Sequence, residues 1–107
     1  MPPTADSHKP SAALPRDQIA RELVAHPQWE IVDDGTRIRR QFRMQNFLHG
    51  LQFFHRIGGV AEEENHHPDL HLTGYRHVTV ELWTHSLGGV SARDIAMAKK
   101  IDTVPTD

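Results

Sequence analysis

The sequence contains no cysteine. Disulfides, thiolate metal sites and cysteine nucleophiles are therefore excluded, and the composition suits the cytoplasm. No apolar run approaches the length needed to cross a bilayer, so no membrane role is expected. The opening stretch, Met1 to Ala13, has no apolar core, so no secretory leader is expected. Long basic runs are missing as well. The nearest is Arg37, Arg39, Arg40 and Arg43, whose spacing reads as an exposed strand face, and the formal net charge is -2. That balance does not favour direct nucleic-acid binding.

What is present fits one modest core: 107 residues, of which 37% are hydrophobic. Residues 1–13 are rich in Pro, Ser, Ala and Thr and are expected to form a disordered arm. Residues 14–107 are expected to form a single domain. Leu14 to His26 reads as a helix, with Pro15 in its first turn and Ile19, Leu23 and Val24 on one face. Pro27 ends it. Trp29 and Ile31 follow in a short extended piece, and Asp34–Gly35 signals a turn. Ile38, Phe42 and Met44 then alternate with Arg37, Arg39, Gln41 and Arg43, the pattern of a half-buried strand that Arg40 interrupts.

From Phe47 to about Glu64 the period changes to that of a helix. Phe47, Leu51, Phe54, Ile57 and Ala61 make its stripe, and Gly58–Gly59 mark a weak point or bend. Pro68 forces the chain to turn after His67. Asp69–Thr73 and Tyr75–Thr84 read as a hairpin turning near Thr73–Gly74. Ser91 with Asp94 three residues on resembles a capping box, opening a last helix that buries Ile95, Ala98 and Ile101. The expected class is α+β, an antiparallel sheet with helices on one face, in the order α-β-α-β-β-α. A small sheet leaves open edges, and pairing with another copy would cover them, so a homo-oligomer is expected.

The chemistry concentrates between Glu62 and His85, which hold five of the nine histidines. The pair His66–His67 at a helix exit has three readings. It could cap the helix, where a cation is favourable. It could bind a metal with His85 and a carboxylate, although no H-x-E or H-E-x-x-H pattern is present. It could perform acid–base chemistry with His85 brought across the fold, since imidazole exchanges protons near neutral pH. Glu62 lies one helical turn before His66 and could orient an imidazole. Trp29 and Trp83 read as packing residues, with a flat heteroaromatic ligand as the other partner for Trp29. His71 and His77 fit a solvated strand face. Gly88–Gly89 lacks the context of a nucleotide loop.

Taken together, Glu62-x-x-Asn65-His66-His67-Pro68, Tyr75, Thr84-His85 with Gly88–Gly89, and Ser91-x-x-Asp94 resemble the pterin-4a-carbinolamine dehydratase family. The resemblance spans roughly residues 14–104. It implies removal of water from 4a-hydroxytetrahydropterin to give quinonoid dihydropterin, which recycles a tetrahydropterin cofactor. It implies no metal or organic cofactor, a pterin substrate, and a homodimer or homotetramer. The family's catalytic histidines match His66, His67 and His85. Its supporting acidic positions match Glu62 and Asp94, and its tryptophan near the site matches Trp29. Groups around Pro68, Thr84, Ser86 and Leu87 would hold the pterin's polar edge. Two departures mark this sequence. Asn65 stands where many animal members carry Asp, and the stretch from Pro68 to His85 is one residue longer, as in the bacterial and plant branch. The family also includes non-enzymatic dimerisation and assembly cofactors, which makes a protein partner the alternative role.

Overall fold

Alternation of side chains builds the centre of the molecule. Ile38 and Phe42 on one strand, Val78, Val80 and Leu82 on the next, and Leu70 and Leu72 on a third point to a common face. Helices cover that face, and the buried residues of helices and strands form one cluster. The structure, a computed structural model, describes residues 12–107; the expected arm lies outside the described residues as far as position 11. The elements are α1 (Arg16–Glu22), β1 (Glu30–Val32), β2 (Arg37–Arg43), α2 (Phe47–Glu64), β3 (Asp69–Thr73), β4 (His77–Leu82) and α3 (Ala92–Ile101). The strands pair antiparallel in the order β1-β2-β4-β3.

The α+β class agrees with the sequence reading, but the element order gains a strand. The extended piece near Trp29 is β1, paired with β2 through Ile31 and Ile38. Three residues are too few to show a period, which is why alternation did not reveal it. Asp33, Asp34 and Gly35 all take positive φ, and this tight reversal joins the two strands. The first helix is shorter than expected. It ends at Glu22, because Pro27 disfavours helical geometry at His26 and its ring would clash with the carbonyl four residues earlier. Val24 consequently sits 80% exposed instead of joining Ile19 and Leu23 in the core.

The buried stripe of α2 is also shifted. Gly50, Phe53, Ile57 and Ala61 face inward, whereas Phe47 and Leu51 are exposed. The reason is a close approach at Gly50, where an added Cβ would lie 3.1 Å from a Leu72 methyl on β3. The helix rolls to place its smallest residue against the sheet, and Phe53 packs edge-on against Phe42. Gly58 and Gly59 do not interrupt the helix, and among the described residues nothing packs within 4 Å of where their Cβ atoms would stand.

Arg40 breaks the apolar face for a visible reason. Its Nη1 meets Asp102 Oδ1 at 2.5 Å, and the same carboxylate accepts from Trp29 Nε1 at 2.9 Å and lies 2.5 Å from His26 Nδ1. This cluster ties the end of α3 to the sheet and to the turn before β1. The opposite sheet face carries the remaining arginines as foreseen. Arg37 and Arg39 reach Glu81 and Glu30 across the strands.

Candidate active site

Three stretches meet at one end of the sheet. At the first, α2 stops at Asn65, whose φ of 50° is left-handed, a conformation that Asn tolerates better than most residues. The His66 N–H closes back onto the Ala61 carbonyl at 3.1 Å, and His66–His67 leave the helix at its tip. At the second, Thr84 and Gly89 pair through their backbones. Residues His85–Leu87 therefore bulge out as a single 3-10 turn, closed by Gly88 at φ 63°. At the third, Ser91 and Asp94 form the foreseen capping box at the start of α3.

All three expected histidines line one cleft of about 370 Å³, within the roughly 300–1,000 Å³ common for small-ligand sites. Thr84 and Ser86 from the expected set line it too. Asp94 is fully buried beside it. Its Oδ1 lies 2.5 Å from His66 Nε2, and its Oδ2 accepts from the Ser91 N–H and the Thr84 hydroxyl, each at 2.8 Å. A buried carboxylate is costly unless hydrogen-bonded, and these donors satisfy it. The arrangement makes His66 Nε2 the donor and leaves Nδ1 as its free nitrogen. Asp94 reaches any ligand only through His66, because it has no exposed surface of its own.

His67 is held more loosely. Its Nε2 lies 2.5 Å from Glu62 Oε2, with side-chain exposures of 58% and 78%. Glu62 thus serves His67, not the His66 that helical spacing had suggested. His85 takes no side-chain hydrogen bond among the described residues. Its ring instead stacks on Trp83, with centroids 3.9 Å apart and planes 26° from parallel.

Some expected residues stand back from the cleft. Trp29 is buried with its N–H on Asp102, and it does not line the cleft. Pro68 and Leu87 flank the cleft-lining histidines in sequence without lining it themselves. Two cleft residues escaped the sequence reading. Trp83 was signalled only by its place two residues before His85; both lie beyond the end of β4 at Leu82, and the turn that carries His85 makes the stack. Arg93 gave no such signal. Its Nη2 donates to the carbonyls of Glu64 and Asn65, at 3.0 and 2.8 Å, and so clamps the left-handed turn that carries His66. Among the described residues, no three His, Asp or Glu side chains converge as a metal cage.

Residues 12–104 match the family model described as pterin 4 alpha carbinolamine dehydratase. The chain belongs to this family. A mitochondrial pterin-4-alpha-carbinolamine dehydratase 2 of Arabidopsis thaliana is 40% identical over 94 residues, covering 85% of this chain and 50% of that protein. The chain thus spans about half the length of that relative. A relative from Chlorobium limicola is 43% identical over 100 residues, covering 92% of this chain and 85% of its own. Among solved structures, a transcriptional coactivator/pterin dehydratase from Brucella melitensis superposes with a TM-score of 0.77 at 33% identity, over 84% of this chain and 95% of that one. A pterin dehydratase-like protein identified as a RuBisCO assembly factor in the alpha-carboxysome shares the fold, with a TM-score of 0.59 at 19% identity, over 72% of this chain and 88% of that one.

Proposed function

We propose that the chain dehydrates a 4a-hydroxytetrahydropterin to quinonoid dihydropterin and water. The observation that carries this reading is the convergence of three imidazoles on one cleft, with His66 anchored to a buried carboxylate. Loss of the C4a hydroxyl requires a proton at that oxygen and a base for a ring N–H, while a ring-nitrogen lone pair expels the leaving water. His67 and His85 exchange those two protons, one giving and one taking. His66 binds and orients the pterin through its free Nδ1. Each proton transfer contributes roughly 10²–10⁴-fold. Both protons move through imidazole, so the scheme calls on neither a metal nor an organic cofactor. Thr84 and Ser86 support it from the cleft wall, next to the turn that presents His85.

The test is the dehydration rate of freshly generated 4a-hydroxytetrahydropterin, followed by ultraviolet absorbance. Wild type accelerates the reaction, and His67→Ala and His85→Ala each lose about 10²-fold or more. No acceleration by folded wild-type protein sinks the proposal.

One observation favours a second, protein-contact role. Phe47, Leu48 and Leu51 stand exposed along the first half of α2, where a globular chain usually keeps few large apolar residues together. A homo-oligomer or a protein partner would cover them. Sedimentation of wild type beside Leu48→Glu/Leu51→Glu reads this directly, with a lower mass for the double variant as the expected result.

A further inference from the structure

The three cleft histidines are held in two different ways. His66 and His67 each spend one ring nitrogen on a carboxylate. His85 spends none on a side chain, yet it sits on an exposed 3-10 turn where an imidazole would otherwise rotate freely. What restrains it is the indole of Trp83, stacked at 3.9 Å. The indole is itself braced. Its Nε1 donates to Asp69 Oδ2 at 3.3 Å, and the Arg37 guanidinium carbon lies 4.6 Å from its centroid. Arg37 is in turn anchored by Glu81 at 3.0 Å and Asp33 at 3.4 Å. The pairing of Ile38 with Leu82 explains the order, because it places Arg37 opposite Trp83 on the open sheet face.

We infer that Trp83 is the positioning residue for His85, fixing the plane of its ring by stacking while leaving both ring nitrogens for proton exchange. A carboxylate partner would fix the ring equally well, but it would occupy one nitrogen and commit the tautomer. Stacking constrains orientation without that commitment. Either nitrogen of His85 is therefore left to face a ligand, whereas His66 and His67 each have one. Arg37 contributes by holding the indole through a cation–π contact. The catalytic consequence rests on the dehydratase reading above; the orientation of the ring does not.

Two measurements separate those levels. The first needs no substrate. In histidine ¹H–¹³C NMR spectra, assigned with His85→Gln, the His85 ring protons of wild type are displaced upfield by the indole ring current. Trp83→Phe keeps the sign of that displacement and shrinks it, since a phenyl ring carries less current. Trp83→Leu abolishes it. Equal His85 shifts in wild type and Trp83→Phe overturn the inference, even where the leucine variant fails to fold.

The second measurement is the dehydration assay. Trp83→Leu lowers kcat by about three- to tenfold, the scale of one aromatic pair, while KM stays within about twofold. Trp83→Phe recovers most of the loss. A change confined to KM means that Trp83 meets the substrate directly, and it overturns the positioning role. Wild-type protein without dehydratase activity but with the displaced His85 signal retires the catalytic reading and leaves the stack in place.

Discussion

Two His–Asp pairs of equal length sit at opposite ends of α3, ten residues long, and only one belongs to the cleft. At the N-terminal end Asp94 meets His66 at 2.5 Å; at the C-terminal end Asp102 meets His26 at 2.5 Å. The distance says nothing about which pair serves the chemistry. The difference lies in what else each carboxylate holds. Asp94 takes a backbone N–H and a hydroxyl, so among the described residues its only ionisable partner is the imidazole. Asp102 takes the permanent cation of Arg40 and the indole N–H of Trp29, so its charge is already spent on packing. His66 also shares its cleft with two more imidazoles, whereas His26 does not line it. A buried His–Asp pair becomes part of a site through the convergence around it.

The largest expected effect breaks the structural member. Asp102→Ala strands the half-buried Arg40 cation and the Trp29 N–H, and removing one partner of such a pair costs about 3–5 kcal/mol. The melting temperature should fall by more than ~10 °C for a domain of this size. Measured well below that temperature, the dehydration rate of the folded variant should stay within about twofold of wild type. A large rate loss in stably folded Asp102→Ala would erase the distinction between the two ends of the helix.

Asp94→Asn is the matched change at the other end, and its signature should be reversed. The amide keeps the shape but presents an N–H where His66 Nε2–H donates, unless it turns and strands the Ser91 and Thr84 donors instead. The stability loss is about 1–3 kcal/mol, the cost of one unsatisfied buried group. The dehydration rate should fall about tenfold to a hundredfold, because His66 loses its tautomer and its orientation. ¹⁵N spectra of the histidines check the cause, with the proton on His66 Nε2 in wild type and redistributed in the variant.

This contrast shows what the sequence could and could not reveal. Ser91-x-x-Asp94 was readable as a cap from local spacing alone, and the same carboxylate proved to hold His66. The strand at Arg37–Arg43 and the helix ending at Glu64 were legible because their periods run long enough to repeat. The strand β1 was not, because three residues carry no period. Arg40 read as a flaw in the apolar face, since its partner Asp102 lies 62 positions away and only tertiary structure joins them. Helical spacing put Glu62 beside His66, but the left-handed Asn65 ends the helix first and swings His67 to Glu62 instead. Trp29 and Trp83 exchanged places for a similar reason. Trp29 is drawn away by Asp102, 73 positions along the chain, and Trp83 meets His85 through the turn after β4, whose shape no period announces.

A smaller perturbation sharpens the Asp94 side. Thr84→Val removes the hydroxyl that donates to Asp94 Oδ2 while preserving bulk. The expected loss is about 1–2 kcal/mol by urea unfolding, together with a rate loss smaller than that of Asp94→Asn. Thr84→Ser should restore both. Failure of serine to restore them would mean that the methyl group, and not the hydrogen bond, supports the site.

The smallest effect is expected at the exposed pair. Glu62→Gln removes the partner of His67, but both side chains are more than half exposed, and such ion pairs contribute within ~0–1 kcal/mol. Stability should therefore hardly move. The rate should still fall by about two- to threefold, because an amide holds an imidazole less firmly than a carboxylate does. Salt then separates the two ends of the site. At about 1 M salt the Debye length shrinks to ~3 Å, so wild type and Glu62→Gln should converge in rate. Asp94→Asn should keep its full deficit, since its partners are shielded from solvent by burial. A Glu62→Gln deficit that persists unchanged at high salt would place the Glu62–His67 pair in the same protected class as Asp94–His66, against the exposure seen for it.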